Sequence, residues 1–326
     1  MSFLPAEPVR IIFDTDMGSD CDDVGALALL HHYVDQGEAE LVACIFSSGK
    51  VPYGAGIIDA INRYYGRPDI PVGAYQGNDF GDPVDKMRAE AIANRTEQFG
   101  NEIIHNRDAE DMVHLLRRLL ASNTDGPISY VTVGHTRGLY ELLISGPDEI
   151  SPLSGRALME KHVDRWVALG ALGANNPEGE YRKDWNFFFN GTALYTKRLL
   201  EEFPQPVFLV DGGTTVMTGK SLKYTPPGNI VRVCYTEWLD HVFQKTLDDQ
   251  RPSWDLVAIY FAVSGTGDFL ENNGQGHLEF DAEKGCRWWS GKGENDHFFI
   301  SQTPGTGEAF AAYLNERIAA PPKFSR

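Results

Sequence analysis

Near its start the chain reads Val9-Arg10-Ile11-Ile12-Phe13-Asp14-Thr15-Asp16-Met17-Gly18-Ser19-Asp20-Cys21-Asp22-Asp23, an apolar run that leads into five carboxylates. The run up to Phe13 is β-branched and aromatic, which favours a buried strand. The residues from Val24 to Leu30 favour a helix. Because α/β proteins bind ligands at the carboxyl ends of their strands, the pattern indicates a metal or catalytic site more than a solvated loop.

Apolar runs and helical patterns alternate along most of the remaining chain. Further strands are predicted at 41–46, 70–72, 128–133, 166–169 and 207–210, and helices at 53–65, 108–120, 139–145, 192–203, 254–264 and 307–319. Residues 85–100 are predicted to form an exposed loop with some helix. The spacing predicts an α/β fold, an open, mainly parallel sheet with helices on both faces. Short strands near the C-terminus predict a small antiparallel β appendage, and residues 1–326 are expected to form one domain.

Composition and charge exclude several classes of function. A formal net charge of -17 argues against a nucleic-acid or anionic-membrane partner, because both need a dense basic surface. The first eight residues lack the basic and apolar regions of a signal peptide, so a cytoplasmic location is expected. The four cysteines are scattered without a C-x-x-C pair, which disfavours structural zinc and a disulfide framework.

The acidic loop offers oxygen ligands for a hard cation. Carboxylates crowded at a strand end repel one another unless a positive charge lies among them. Asp255 stands at the start of an apolar helix, where it is either a helix cap or a second source of metal ligands. Several carboxylates with a main-chain carbonyl favour calcium over magnesium. An EF-hand is excluded, because its twelfth position, counted from Asp14, is Gly25.

The loop pattern Asp14-x-Asp16-x-Gly18-x-Asp20-x-Asp22-Asp23 resembles the fingerprint of the inosine–uridine preferring nucleoside hydrolase family, in its DxDxGxDxDD variant. The resemblance extends along almost the whole chain. Its other pieces are Pro52-Tyr53, Asp59-Ala60-Ile61-Asn62, the run from Gly66 to Gly73, Val133-Gly134, Asp184-Trp185-Asn186 and Pro252-Ser253-Trp254-Asp255. It implies the nucleoside hydrolase fold and a glycosidase of purine or pyrimidine metabolism. Such an enzyme hydrolyses the N-glycosidic bond of a ribonucleoside, or of a related ribosyl compound, to free base and ribose.

The resemblance also implies a calcium ion at the floor of the pocket. The implied ligands are the carboxylates of Asp16, Asp23 and Asp255 and the main-chain carbonyl of Val133. The ion would bind the ribose 2′- and 3′-hydroxyls and a water, from which Asp16 takes a proton. That water attacks the anomeric carbon, and the anionic pocket stabilises the oxocarbenium-like transition state.

Further residue roles follow from the same resemblance. Asp22 would accept a hydrogen bond from a ribose hydroxyl, and Asn186 would act on the sugar and its developing charge. Asp14 would support the loop. The 5′-hydroxyl would be reached by Asn175 or Asn176 and by Asp184. Asp20 falls in the variant's insertion and is expected to be dispensable. Family members commonly self-associate, so a dimer or tetramer is implied.

Several residues depart from the family pattern. Asp184 replaces a glutamate that is one methylene longer, and Lys50 replaces an asparagine that often follows the second strand. Trp254 occupies a position that resembles purine-preferring members, where an aromatic ring stacks on the base, although packing at a helix start explains it equally well. Two positions are likewise open for Trp185, in the wall of the pocket or in the core. His135 is a candidate acid, but a surface position is favoured for it.

Two other functions compete with nucleoside hydrolysis. Phe13-Asp14-Thr15-Asp16 also resembles the nucleophile loop of haloacid-dehalogenase-like, magnesium-dependent phosphatases, with Asp14 as nucleophile and Asp16 as acid and base. That interpretation would give Thr132, Lys183 and Asp240 roles that their local sequence does not suit. The third hypothesis is a non-catalytic relative that binds a nucleoside or ribose without turning it over.

Overall fold

One large sheet runs through the computed structural model, which describes residues 7–291 and 296–323. The strands are β1 (Val9–Thr15), β2 (Ala39–Phe46), β3 (Val72–Ala74), β4 (Glu110–Asp111), β5 (Ile128–Thr132), β6 (Val163–Leu169), β7 (Val207–Asp211), β8 (Met217–Thr218), β9 (Arg251–Pro252), β10 (Leu270–Asp281), β11 (Gly285–Ser290) and β12 (His297–Gln302). Ten of them form the sheet, in the order β11-β10-β12-β7-β6-β5-β1-β2-β3-β4, while β8 and β9 form a separate antiparallel pair.

Helices connect the strands and cover the sheet. They are α1 (Asp22–Gln36), α2 (Gly54–Tyr64), α3 (Ala89–Ala93), α4 (Thr96–Phe99), α5 (Met112–Ser122), α6 (Arg137–Ile144), α7 (Gly155–His162), α8 (Trp185–Phe188), α9 (Ala193–Glu202), α10 (Ile230–Phe243), α11 (Trp254–Ser264) and α12 (Gly307–Ile318). Short 3-10 segments occupy Asn106–Asp108 and Lys220–Tyr224.

Alternate residues of the central strands enter two separate hydrophobic cores. Phe13 of β1 lies in one core with residues of α1, α2, α10 and α11. Its neighbour Ile12 points to the other face and packs with residues of α5, α6 and α7. Successive side chains of a strand point to opposite faces, so a strand that is apolar throughout is buried on both. The predicted fold class, a mainly parallel sheet with helices on both faces, is confirmed.

Parallel pairing brings the carboxyl ends of three strands together. Phe13 of β1 is in register with Cys44 of β2 on one side and with Val131 of β5 on the other. The acidic loop after β1 therefore lies beside the turn that follows β5, as parallel strands require. The predicted site lies at this edge of the sheet.

The antiparallel strands expected near the C-terminus are present, and they extend the large sheet. β10 pairs antiparallel with both β11 and β12, and β12 pairs parallel with β7, with Phe299 opposite Leu209. The separate small antiparallel sheet is formed by β8 and β9, which were not predicted. The single-domain organisation stays a prediction.

Several local elements differ from the predictions. Residues 85–100 contain the short helices α3 and α4, and they are not an exposed loop, because Met87, Ala89, Ile92 and Ala93 are fully buried in the core. Helices α7 and α10 were not predicted. The third strand lies two residues later than predicted. Residues 1–6, on which the signal-peptide expectation depends, lie outside the described residues. In the part of the chain that the structure describes, no helix has the length and apolar character needed to cross a membrane.

Replacing Gly155 with alanine tests the close packing of α7 on α6. A Cβ at this buried position would lie 1.8 Å from the carbonyl oxygen of Leu142 at the end of α6. We expect Gly155→Ala to lower the free energy of unfolding by about 1–3 kcal/mol in urea denaturation, the usual cost of overpacking. Gly146→Ala is the control, because that exposed glycine has nothing within 4 Å of its Cβ position. Equal stability of the two variants would contradict this description of the packing.

Candidate active site

Four aspartates meet where α1 begins beside the start of α11. Carboxylate oxygens of Asp20, Asp22, Asp23 and Asp255 all lie within 4.8 Å of one another. One oxygen of Asp22 accepts hydrogen bonds from the backbone N–H groups of Trp254 at 2.9 Å and Asp255 at 3.4 Å. A helix N-terminus has free N–H groups and a positive potential. The Asp22 carboxylate therefore accepts hydrogen bonds from the first N–H groups of α11 and is stabilised by the positive potential there. We call these four residues the carboxylate group.

Burial and mutual repulsion raise the pKa of most of these carboxyls. The pKa values of Asp22, Asp23 and Asp255 lie well above the ordinary aspartate value, first because of burial and then because of the neighbouring aspartates. Thr15 donates a hydrogen bond to Asp23 and opposes the shift only in part. Positive charge is therefore needed to ionise the whole carboxylate group.

Arg251 supplies one such charge, and it is not among the predicted site residues. Its Nη2 atom lies 2.8 Å from Asp22 Oδ1 and 3.4 Å from Asp20 Oδ2. Although burial alone would raise the pKa of Asp20, the charge of Arg251 is the largest of the influences that lower it below its usual value. A sequence signal was available, since Arg251 directly precedes the Pro252-Ser253-Trp254-Asp255 motif.

Asp14 lies behind the carboxylate group and is fully buried. Its two oxygens accept hydrogen bonds from Ser47 Oγ at 2.6 Å and from the Tyr130 hydroxyl at 2.7 Å. Burial raises the pKa of Asp14 to about 7, even though these hydrogen bonds lower it. The placement ties the end of β1 to β2 and β5.

Asp16 lies close to the turn after β5. A Cβ at Gly134 would approach the Asp16 carboxylate to 2.5 Å, so glycine is needed there. Asp16 Oδ2 is buried without a hydrogen-bond partner among the described residues, and it lies 3.2 Å from His135 Nε2. Burial, followed by the charges of Asp20 and Asp82, raises the pKa of Asp16 well above its ordinary value. Its carboxylate is outside the carboxylate group as defined by the 4.8 Å limit.

The expected surface position of His135 is wrong, because the side chain is 0% exposed. Its ring packs edge-on against Phe80, with centroids 5.2 Å apart. Burial lowers the pKa of His135 to about 4, and the charge of Lys50 acts in the same direction. The imidazole is therefore neutral at pH 7 and adjoins Asp16.

Asn186 and Asp184 order the strand ends next to the carboxylate group. The Asn186 amide nitrogen donates to the carbonyl oxygens of Val133 at 2.8 Å and Leu169 at 3.3 Å. Asp184 caps α8 by accepting from the N–H of Phe187 at 2.8 Å, and it accepts from the N–H of Ala171 at 2.7 Å. Burial raises the pKa of Asp184 to about 6. The Asp184 carboxylate thus already has backbone partners.

A cleft of about 280 Å³ opens above these residues. Its lining includes four aspartates and three tryptophans, of which Trp185 is 45% exposed. Lys86 is the cation on its lining; its Nζ lies 3.1 Å from Asp82 and 5.0 Å from the Trp185 ring centroid. The lining residues are Ser19, Asp20, Asp22, Lys86, Leu169, Gly170, Leu172, Asp184, Trp185, Asn186, Trp238, Trp254 and Asp255. Lys86 and Trp238 were not predicted, since nothing in their local sequence distinguishes them.

Six of the predicted site residues line the cleft, and the others do not. Those on the lining are Asp22, Asp184, Trp185, Asn186, Trp254 and Asp255. Lys50 is exposed outside it, as is Asn175. The amide nitrogen of Asn176 instead donates to the carbonyl oxygens of Gly173 and Glu180 within its own loop. Asp14, Asp16, Asp23 and Val133 are buried residues that do not contribute to the lining. The assigned roles of all these residues stay predictions.

The donor set fits a hard divalent cation. All the candidate ligands are oxygen atoms, and near the carboxylate group lies a buried Asp16 oxygen that has no hydrogen-bond partner within residues 7–291 and 296–323. Such oxygen-only sites suit calcium or magnesium, whereas zinc and copper prefer nitrogen and sulfur ligands. Asp16, Asp20, Asp23 and Asp255 are the side chains that could hold the ion without displacing the contact between Asp22 and Arg251.

No family model and no curated protein matches the sequence. Solved structures do match it. An inosine-uridine preferring nucleoside hydrolase from Bacillus anthracis is similar with a TM-score of 0.64 at 15% identity, over 95% of this chain and 99% of that one. An inosine-guanosine nucleoside hydrolase gives 0.64 at 12% identity, over 95% and 97% of the two chains.

The type III effector protein XopQ, solved in complex with adenosine diphosphate ribose, gives a TM-score of 0.65 at 13% identity, over 97% of this chain and 94% of that one. At identities this low, the similarity shows a shared fold and does not show a shared reaction. All three comparisons cover at least 94% of both chains, with TM-scores of 0.64 to 0.65. The chain therefore has the nucleoside hydrolase fold.

Proposed function

We propose that this protein hydrolyses the N-glycosidic bond of ribonucleosides or related ribosyl compounds, with calcium as its cofactor. The observation that carries the proposal is the carboxylate group beside a cleft walled by tryptophans. Two neighbours with the same fold are named as nucleoside hydrolases, which supports the choice of reaction. An acidic floor suits a sugar that becomes cationic, and an aromatic wall suits a planar leaving base.

Calcium would be held by Asp16, Asp23 and Asp255 and by the Val133 carbonyl. Asp20, which the resemblance treats as dispensable, is a further oxygen donor because it belongs to the carboxylate group. When bound, the ion supplies positive charge that ionises the carboxylates, holds sugar hydroxyls and lowers the pKa of a coordinated water. Asn186 donates to the Val133 carbonyl at 2.8 Å and so fixes the direction of that oxygen.

Asp16 is the residue we assign as general base. It is buried, and one of its oxygens has no hydrogen-bond partner among the described residues, so that oxygen is free to accept a proton. His135 lies 3.2 Å away and is neutral, so it does not offset the negative charge of Asp16. Asp16 therefore takes the proton from the attacking water.

Two cleft residues act on the sugar. Asp22 accepts a hydrogen bond from a ribose hydroxyl. The amide nitrogen of Asn186 is bound to two carbonyls, so its amide oxygen points away from them and can face the positive charge that develops on the ribose. Both side chains line the cleft. Trp185 and Trp254 would stack on the leaving base.

The geometry disfavours a dehalogenase-like phosphatase. Its nucleophile would be Asp14, which is 0% exposed and whose two oxygens both accept hydrogen bonds. A nucleophile must reach its substrate, so this carboxylate is suited to support. The binding protein without turnover has one observation in its favour. The Asp184 carboxylate is occupied by backbone N–H groups, which weakens the assignment of 5′-hydroxyl recognition to it.

Release of free base from a nucleoside panel tests the reaction. We expect the wild-type protein to release base in calcium and not with a chelator. Asp16→Asn should reduce kcat/KM by about 10²–10⁴-fold, the usual contribution of a general base. Asp125→Asn is the control, since Asp125 is a well-exposed aspartate in the loop before β5, at the opposite end of that strand from the turn beside Asp16.

Other outcomes of the same assay identify the competing functions. Phosphate released from p-nitrophenyl phosphate, with no base released from any nucleoside, would establish the phosphatase. Saturable nucleoside binding by calorimetry, with no reducing sugar formed, would establish the binding protein.

The affinity for calcium should rise steeply with pH. The carboxyls of Asp16, Asp23 and Asp255 have raised pKa values without the cation, so calcium must displace protons from them. We therefore expect calcium Kd to fall as pH rises from about 5 to 8, with proton release measured by calorimetry in buffers of different ionisation enthalpy. Aspartates of ordinary pKa, near 3.9, would give a constant Kd above about pH 5. A flat profile would contradict the burial argument.

A further inference from the structure

We propose that Arg251 is the positioning residue of the sugar site, one that strengthens ribose binding through Asp22 while it weakens calcium binding. This inference rests on the proposed function and names a residue that the resemblance does not assign. It follows from three features: the contacts of the guanidinium, its aromatic neighbours and the charge it brings to the carboxylate group.

The contacts of Arg251 fix Asp22 from one side. The side chain is 3% exposed, and its Nε donates to the carbonyl oxygen of Pro252 at 2.8 Å. Its Nη2 lies 2.8 Å from Asp22 Oδ1. The other Asp22 oxygen accepts from the N-terminus of α11. One oxygen of Asp22 is thus fixed by hydrogen bonds and the other by an ion pair, and the ion-paired oxygen has no hydrogen-bond partner among the described residues, so it can accept one from a sugar hydroxyl. Because the carboxylate is already oriented, less entropy is lost when that hydroxyl binds.

Two tryptophans of the cleft enclose the guanidinium. The Trp238 ring centroid is 4.5 Å from Arg251 Cζ, and the Trp254 centroid is 5.3 Å from it. Both rings line the cleft, whereas Arg251 itself does not. A planar guanidinium stacks on aromatic faces in a way that an ammonium does not. Arg251 therefore acts on the substrate through Asp22 and the tryptophans, as a positioning residue.

The charge of Arg251 has the opposite effect on calcium. A guanidinium is protonated at every pH of interest, so it always opposes a second cation among the same carboxylates. It lies within 3.4 Å of two members of the carboxylate group. Removing it would leave a more negative site, which attracts calcium more strongly, and would release Asp22 from its fixed position.

These two effects distinguish positioning from a purely structural role. If Arg251 only stabilised the fold, its loss would loosen the whole site and weaken calcium and sugar binding together. Under the proposal the two affinities move in opposite directions.

The experiment compares Arg251→Met, Arg251→Lys and a matched control in the full-length protein. The control is Arg117→Met, because Arg117 is equally buried, at 2% exposure, and pairs with Asp148 far from the cleft. Calcium Kd is measured by calorimetry, and KM and kcat are measured for the nucleoside that the wild-type protein hydrolyses fastest.

We expect Arg251→Met to bind calcium about 3–10-fold more tightly and to raise KM about 10-fold or more, with a smaller change in kcat. Arg251→Lys keeps the positive charge but lacks the planar, forked guanidinium. Its calcium Kd should therefore stay within about 2-fold of the wild-type value, while its KM still rises. Arg117→Met should leave both constants unchanged. If Arg251→Met does not fold, the KM of Arg251→Lys tests the proposed effect of Arg251 on ribose binding.

Weaker calcium binding in Arg251→Met, or an unchanged KM in both Arg251 variants, would overturn the assignment of Arg251 and leave the proposed function intact. A wild-type protein that binds no calcium and releases no base would overturn the proposed function, and the role of Arg251 with it.

Discussion

Repulsion among carboxylates buried at one edge of a parallel sheet is the constraint on which this site depends. The fold relieves it with three sources of positive potential: the N-terminus of α11, the guanidinium of Arg251 and hydroxyl donors such as Thr15. These remain insufficient, because the pKa values of Asp22, Asp23 and Asp255 stay well above normal. Carboxyls with such perturbed pKa values are typical of functional sites. A cation or a cationic transition state would relieve the repulsion that remains.

The sheet divides the surroundings of this edge into two chemical environments. On the β5 side, Gly134 leaves room for Asp16, and the neutral ring of His135 adjoins that carboxylate. On the α11 side, tryptophans stack on a buried cation. The neutral imidazole and the stacked tryptophans thus belong to different segments around the site, and the register of β1 with β5 sets Asp14 opposite Thr132, just before the turn that carries His135.

Local sequence predicted what depends on local pattern. The strand before Asp14 and the bounds of α11 follow from periodicity and composition, and the carboxylates at the end of β1 mark the functional edge. The contact of Arg251 with Asp22 joins residues far apart in sequence, and neither residue type signals its partner. The burial of His135 was not predicted for the same reason, because its ring packs against Phe80, which lies in a distant segment of the chain. Lys50 was predicted to bind substrate by analogy with one position of the family pattern. In the structure the lysine that lines the cleft is Lys86.

The contact between Asp22 and the start of α11 spans 232 residues of sequence. During synthesis the acidic loop emerges early, while Asp255 and Arg251 follow only after most of the strands are made. In the folded chain, α11 is the segment that supplies both the backbone donors to Asp22 and the fourth carboxylate of the group. A chain that ends before α11 would keep seven of the ten strands of the large sheet and three of the four aspartates of the carboxylate group, but it would lack the helix N-terminus that fixes Asp22.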